Sequence, residues 1–110
     1  MENRIRIQYC TQCRWLLRSA WMAQELLTTF EQELAEVSLC PGTGGIFEIS
    51  VNGRLVWSRK EMGRFPDITE LKQRIRDEVA PERDLGHSER TRSEIDEKAP
   101  RQKSRTGSTK

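Results

Sequence analysis

The chain has few of the residues from which metal centres, membrane anchors and disulfide frameworks are built. Its 110 residues include one histidine, three cysteines and four prolines, and aromatic residues make up 6%. No apolar run approaches the roughly 18 residues that a membrane-spanning helix needs, so we expect no membrane partner. The N-terminus lacks the basic and then apolar pattern of a secretion signal, and three cysteines argue against a disulfide framework. We therefore expect a cytoplasmic protein whose cysteines are catalytic, buried or bound to metal.

Charge and composition divide the chain near residue 80. Residues 1–80 hold 11 basic and 11 acidic residues, whereas residues 81–110 hold 8 basic and 6 acidic ones. The balanced first part lacks the basic patch of a nucleic-acid-binding domain, so we expect no nucleic-acid partner. Residues 81–110 contain only three aliphatic side chains and are predicted to be a disordered charged tail. The sequence thus predicts one folded domain, residues 1–80, followed by this tail.

The first half of the chain predicts a strand, a helix and a second strand. Arg4–Tyr9 alternates apolar and polar residues, which is typical of a half-buried strand. From Arg14 to about Glu36 apolar residues recur within one broad arc of a helix. The members of this arc are Trp15, Leu16, Ala20, Met22, Ala23, Leu26, Leu27, Phe30 and Leu34. Residues 36–39 then predict a short strand that ends at Cys40.

A β-hairpin is the clearest local prediction. Asn52-Gly53 favours a two-residue type I′ turn, because both central residues of that turn need positive φ. The turn lies between Ile46–Val51 and Arg54–Ser58, and its regular register places Ile49 opposite Val56. We expect one apolar face on the hairpin, made of Phe47, Ile49, Val51 and Val56.

A second helix follows Asp67, which is predicted to be its N-cap with Glu70 completing a capping box. Its buried stripe is predicted to be Ile68, Leu71, Ile75 and Val79. The order strand, helix, strand, hairpin, helix indicates an α/β sandwich with helices on an open sheet. The first two strands flank a crossover helix and should therefore be parallel.

The motif that carries chemistry is Cys10-Thr11-Gln12-Cys13, where the first strand runs into the first helix. Side chains three residues apart in the first turn of a helix meet on one face, so the two thiols can form a disulfide. The helix N-terminus and the charge of Arg14 favour a thiolate there. A thiolate attacks a partner disulfide, and the second thiol then releases the mixed disulfide. The motif predicts a thiol–disulfide redox site at Cys10 and Cys13.

Two other interpretations of the motif compete with redox chemistry. A structural zinc site would need two more ligands, and only Cys40 and His87 are available, the latter in the predicted tail. The two cysteines could also lie at a helix start without any redox task. The strand-CxxC-helix setting favours redox function with no metal and no cofactor. Cys40 is interpreted as a small buried residue, with a redox role as the alternative.

Leu17 and Trp21 lie one helical turn apart on the polar side of the first predicted helix. They form a candidate patch for docking a protein partner near the motif. Alternatively, residues 59–66 or the tail cover them.

Three short segments are informative in combination: Ile7–Cys13 after a short strand, Gly45–Gly53, and Leu-Val-Trp-Ser at 55–58. Together they resemble the selenoprotein W-related (SelT/SelW/SelH, Rdx) family over about residues 3–80, in an all-cysteine bacterial-type form. The resemblance implies a thioredoxin-like two-layer sandwich in the order β-α-β-β-β-α and a CxxC redox site at Cys10 and Cys13. In selenocysteine-containing members the selenocysteine takes the place of Cys13, which implies that this position can be the reactive one. Thioredoxin-like logic instead favours Cys10, expected to be the more exposed, as attacker and Cys13 as resolver.

Two functions follow from these patterns. The first is a thiol-disulfide oxidoreductase or redox regulator in cell redox homeostasis, acting on a protein disulfide or glutathione. The second is a redox-sensitive protein-binding module that docks its partner through Leu17, Trp21 and the motif without turnover.

Overall fold

The computed structural model describes residues 2–86, which form a four-stranded sheet and three helices. In chain order the elements are β1 (Asn3–Cys10), α1 (Leu16–Thr29), β2 (Leu34–Gly42), β3 (Phe47–Val51), β4 (Arg54–Ser58), α2 (Arg59–Met62) and α3 (Ile68–Val79). The predicted order of strands and long helices is confirmed. The one-turn helix α2 is added between β4 and α3, where the predicted order has no element. Ser58 caps it by accepting the Glu61 N–H at 3.4 Å.

The strands lie in the order β2-β1-β3-β4. β1 and β2 are parallel, as predicted for strands joined through a helix, and the other neighbouring strands are antiparallel. Ile5 pairs with Val37 and Ile7 with Leu39, so these apolar side chains share one face of the sheet. The helices pack on that face, which confirms the two-layer, thioredoxin-like α/β class.

One hydrophobic cluster joins the sheet to α1 and α3. Its fully buried members are Ile5, Ile7, Leu26, Phe30, Ile49, Leu71 and Ile75. Each such side chain contributes about 1.5–3 kcal/mol through removal from water. Arg4 and Arg6 alternate with the buried residues of β1 and are exposed, so the core lies on one side of the sheet.

α1 is shorter than the helix that the apolar spacing predicts. It begins at Leu16 and ends at Thr29 instead of running from Arg14 to about Glu36. Leu34 already belongs to β2, where it pairs with Asn3, so pairing with β1 overrides the helical spacing. Among residues 2–86 no helix is long and apolar enough to cross a membrane.

The buried stripe of α1 is narrower than predicted. Leu16 and Leu27, both expected in the core, are 50% and 42% exposed, whereas Ser19 is fully buried. The residues that face the sheet are Ser19, Met22, Ala23 and Leu26, which follow the i, i+3, i+4, i+7 spacing of a single contact line. The predicted arc was therefore too broad.

The hairpin forms with the predicted turn but with a shifted register. Asn52 and Gly53 have φ values of 52° and 85°, as a type I′ turn requires. An irregularity beyond Ser50 places Ile49 opposite Trp57 instead of Val56. Trp57 is therefore the buried aromatic residue of β4, 1% exposed, and the predicted pairing of Val56 with Ile49 is wrong, although half-buried Val56 still packs against the core.

α3 begins where the capping signal predicts. Asp67 is its N-cap, and the Asp67 backbone N–H donates to the Glu70 carboxylate at 3.4 Å. Leu71 and Ile75 are buried while Ile68 and Val79 are half-buried, which confirms the predicted stripe.

The folded unit continues past residue 80. Ala80 is buried, and Leu85 packs against the core cluster. Arg83 donates to the Glu33 carboxylate at 3.0 Å. The prediction of a tail from residue 81 is therefore wrong for residues 81–86, because Leu85 has an apolar surface to bury. The remaining tail residues, including His87, lie outside the described residues.

Candidate active site

The motif lies in a turn that precedes α1. Cys10 is the last residue of β1, and the Arg14 N–H donates to the Thr11 carbonyl at 3.0 Å. Arg14 has φ of 61°, in the left-handed region, and α1 begins only at Leu16. The motif was predicted in the first turn of a helix from Arg14, and this placement is wrong. A turn that closes before the helix brings the two cysteines together instead.

The two cysteines are in direct contact through hydrogen bonds. The Cys13 backbone N–H donates to the Cys10 Sγ at 3.3 Å, and the Cys13 thiol also hydrogen-bonds to that sulfur. Cys10 is 1% exposed, whereas Cys13 is partly exposed. The expectation that Cys10 is the more exposed thiol is wrong, because β1 carries it under the turn.

These hydrogen bonds shift the pKa values of the two thiols in opposite directions. Donation from the Cys13 thiol holds the pKa of Cys10 below the ordinary cysteine value, against the opposing effect of burial. Backbone N–H groups of Gly45, Cys13 and Gln12 lower the pKa of Cys10 further. The same thiol contact, together with burial and the charge on Cys10, raises the pKa of Cys13. The pair therefore ionises first at Cys10.

The source of this electrostatic effect differs from the predicted one. Backbone N–H groups of the turn and of Gly45 face the sulfurs, in place of the helix N-terminus. Gly44 and Gly45 have φ of 72° and 78°, a conformation that favours glycine. The cation that acts on Cys13 is Arg59 and not the predicted Arg14. Gly45 and Arg59 are site residues that the motif could not reveal, since only the fold brings them to it.

An aromatic cluster with two arginines lies next to the motif. The ring of Trp15 meets that of Phe65 edge to face with centroids 4.9 Å apart, and Phe65 meets Phe47 at the same distance. The Arg59 Cζ lies 5.0 Å from the Trp15 centroid and 5.1 Å from the Phe65 centroid. The Arg18 Cζ lies 4.2 Å from the Phe65 centroid. Cation–π contacts therefore hold both guanidinium groups in place.

A groove of about 580 Å³ adjoins the motif through Gly45 and Arg59. It is lined by Thr43, Gly44, Gly45, Ile46, Phe47, Glu48, Ser58, Arg59 and Lys60. Its size suits a ligand of a few residues. A smaller depression of about 250 Å³ lies between β4 and α3 and contains no cysteine.

Cys40 lies on β2 and is half-buried, with Gln8 as its partner in the ladder. The residue that pairs with Cys10 is Gly42, two positions further along β2. All three cysteines are free thiols. Within residues 2–86 no group of three or more histidine, cysteine or acidic residues could hold a metal ion. The fourth candidate zinc ligand, His87, falls beyond the described part of the chain.

The candidate docking patch is exposed on α1. Leu17 is 82% and Trp21 46% exposed, and Leu16, expected in the core, joins them at 50%. These three residues occupy the first turns of α1, directly after the motif. We call them the α1 patch.

Comparison with known proteins assigns the chain to a family. The family model of the Rdx family matches residues 4–77, from β1 into α3. A crystallised protein from Bordetella parapertussis is 59% identical with a TM-score of 0.70, and the match covers 72% of this chain and 100% of that one. A selenoprotein W-related protein from Vibrio cholerae is 55% identical with a TM-score of 0.68, covering 70% of this chain and 96% of that one. Among curated proteins no sequence matches. The chain therefore belongs to the Rdx family, the selenoprotein W-related proteins, as its motifs predict.

Proposed function

We propose that this protein is a cytoplasmic thiol–disulfide oxidoreductase of cell redox homeostasis that uses Cys10 and Cys13. Family membership indicates a redox-related role. The observation that carries the finer proposal is the hydrogen bonding of Cys13 to the Cys10 sulfur, which favours a thiolate at Cys10. Because the thiolate is the nucleophile in disulfide exchange, this arrangement prepares one thiol for attack and holds the other beside it.

The proposed reaction passes two electrons from the dithiol to a disulfide. The Cys10 thiolate attacks one sulfur of the substrate, the substrate S–S bond breaks, and the first substrate thiolate leaves. The Cys13 thiol loses its proton to that leaving thiolate and attacks the Cys10 sulfur of the mixed disulfide. The second substrate sulfur leaves as a thiolate, which takes a proton from water, and a Cys10–Cys13 disulfide remains. A protein disulfide or glutathione disulfide is the proposed substrate class. When the substrate is a protein disulfide, two molecules of a low-molecular-weight thiol such as glutathione return the protein to the dithiol and leave as their own disulfide.

Burial of Cys10 restricts how a substrate reaches it. The thiol is 1% exposed, so the substrate sulfur has to arrive through a narrow approach. The groove is the proposed approach, because Gly45 lines it and its backbone N–H also hydrogen-bonds to the sulfurs of Cys10 and Cys13. An extended segment that carries a disulfide would fit this shape better than a flat protein surface.

Trapping with single-thiol variants tests the proposal. With Cys40→Ser as background, Cys13→Ser removes the resolving thiol, so a mixed disulfide through Cys10 should accumulate and disappear on addition of a strong reductant. The matched control, Cys10→Ser, should trap much less. Trapping through Cys13 alone would reverse the order of attack, and the absence of any mixed disulfide in both variants would contradict disulfide exchange.

A redox-sensitive protein-binding module is the second candidate function. The observation in its favour is the α1 patch, because three large apolar side chains exposed next to the motif are typical of a docking surface. A module would keep its partner after the motif is reduced and lose it in Trp21→Ala. Leu27→Ala is the control, since Leu27 is also exposed on α1 but lies outside the patch. Catalytic turnover that Trp21→Ala leaves unchanged would argue against this candidate.

A further inference from the structure

Five arginines of the described chain stack on aromatic rings, and they fall into two groups. Three of them also donate to an oxygen atom. Arg64 binds the Glu70 carboxylate at 2.9 Å, Arg83 binds that of Glu33 at 3.0 Å, and Arg74 donates to the Val56 carbonyl at 3.4 Å. The other two, Arg18 and Arg59, are the pair beside the motif.

Arg18 and Arg59 have no carboxylate within ion-pair distance among residues 2–86. The Nε–H of Arg59 is fully buried and has no hydrogen-bond partner. Leaving a charged donor without an acceptor costs about 1–3 kcal/mol or more. Stacking on Phe65 and Trp15 holds the two side chains in place without using their N–H groups. The terminal N–H groups of both guanidinium groups are therefore available for an anion, whereas the buried Nε–H of Arg59 is not accessible to a ligand.

Arg59 also forms part of the groove wall. Lys60 lies beside it, and among the residues that line the groove Glu48 is the single acidic one. A guanidinium fork matches the two oxygens of a carboxylate, and stacked arginines are pre-organised for such a contact. The groove therefore places a carboxylate-binding group next to the thiols.

We propose that Arg59, assisted by Arg18, binds a carboxylate side chain of the disulfide substrate, so that the preferred substrate is a peptide segment with Asp or Glu next to its disulfide-bonded cysteine. This inference rests on the proposed function. It assigns Arg59 to substrate selection in addition to its electrostatic effect on Cys13. An acidic neighbour lowers the reactivity of many substrate disulfides towards a thiolate, and the arginine pair offsets that repulsion here.

The test uses peptides that differ only in charge. Acetylated and amidated hexapeptides carry one cysteine flanked on both sides by Glu, Gln or Lys. Their disulfide dimers are offered to the reduced Cys40→Ser protein, and reduction is followed by chromatography. Their S-methylated forms are titrated into a Cys10→Ser, Cys13→Ser double variant, and binding is followed by NMR at the indole N–H of Trp15, whose ring stacks with Arg59.

The binding affinity and the exchange rate should both be about tenfold higher for the Glu peptide than for the Lys peptide at low salt. Added salt should reduce this preference. Arg59→Gln should reduce it to about twofold or less, and Arg59→Lys should leave an intermediate preference because the charge remains. Arg54→Gln is the matched control. It makes the same charge change at the far end of the sheet, beside the Asn52-Gly53 turn, and should leave the preference intact. Thermal unfolding of each variant checks that it folds.

The two readouts separate this inference from the proposed function. Equal binding of Glu and Lys peptides, or a preference that survives Arg59→Gln, would overturn the inference even if the disulfides exchange. Selective binding of the Glu peptide without exchange would support the arginine site and contradict the oxidoreductase. Selective binding with selective exchange, both lost in Arg59→Gln, is the expected result.

Discussion

Two sharp turns of the chain lie beside opposite ends of β1, the β3–β4 turn near its start and the motif turn after its end, and they are built in different ways. At the end near Arg4, the Asn52 N–H donates to the Arg4 carbonyl at 2.8 Å and the Arg4 N–H donates to the Asn52 side chain at 2.9 Å. The positive φ values of that turn fall on Asn52 and Gly53, residues that adopt them readily. At the other end, the left-handed position is held by Arg14, whose side chain disfavours it.

The difference shows which end is arranged for stability and which for chemistry. At the hairpin end polar groups pair with each other across the turn. At the motif end a turn N–H faces the Cys10 sulfur, and a buried donor of Arg59 has no partner. Strained backbone and unpaired charge next to a thiol of lowered pKa are features that cluster at functional sites. Substitutions at the hairpin turn should therefore mainly lower stability, whereas substitutions at the motif should mainly change its chemistry.

The largest expected effect is the loss of turnover in Cys10→Ser. Because the remaining thiol of the motif, Cys13, has no partner for an internal disulfide, turnover with glutathione should fall at least about a hundredfold. Cys40→Ser should retain activity as the control. Substantial turnover of Cys10→Ser would assign the reaction to Cys13 acting alone.

The next effect concerns the acidity of Cys10. In the wild type, carbon-13 NMR of labelled cysteine should show Cys10 titrating at lower pH than an ordinary cysteine and Cys13 at higher pH. Cys13→Ala removes the thiol that contributes most to the low pKa of Cys10, so that pKa should rise. Reactivity of Cys10 would then appear only at higher pH. An unchanged Cys10 titration would show that backbone N–H groups alone hold the thiolate.

A smaller effect distinguishes the two turns by stability. Gly53→Ala should cost about 1–2 kcal/mol, because φ of 85° disfavours a side chain although space is open around the residue. Arg14→Gly should instead be neutral or stabilise by up to about 1 kcal/mol, since relief of the left-handed strain is partly offset by the entropy of glycine. Urea unfolding measures both variants. Strong destabilisation by Arg14→Gly would mean that the motif turn depends on the Arg14 side chain.

The smallest effect is expected at Arg64 and Glu70, the paired counterpart of the unpaired Arg59. Hydrogen bonding to Arg64 holds the pKa of Glu70 below its usual value. The pair therefore stabilises the fold at neutral pH, and this contribution is lost as pH falls through the lowered pKa of Glu70. Glu70→Gln, which can still cap α3, should lower the unfolding midpoint by less than about 4 °C near neutral pH. Calorimetry should show the difference fading in acid, and a difference that grows in acid would contradict the assignment.

Locally encoded features of this protein could be predicted from its sequence. The Asn52-Gly53 turn and the Asp67 cap of α3 each depend on residues within a few positions of one another. The predictions for Leu34 and for the partner of Ile49 are wrong because both positions depend on strand pairing, through the ladder with β1 and the irregularity in the hairpin. The thiols of the site could be found from their spacing. Arg59 could not, because it comes from a distant part of the chain.

A redox titration of the motif tests the central claim most directly. The Cys40→Ser protein is equilibrated in glutathione buffers of increasing oxidation, the remaining thiols are blocked, and the products are resolved by mass spectrometry. The account predicts a reversible two-electron transition in which Cys10 and Cys13 pass together from free thiols to one internal disulfide. A motif that never forms this disulfide reversibly, across the whole range of buffers, would contradict the account.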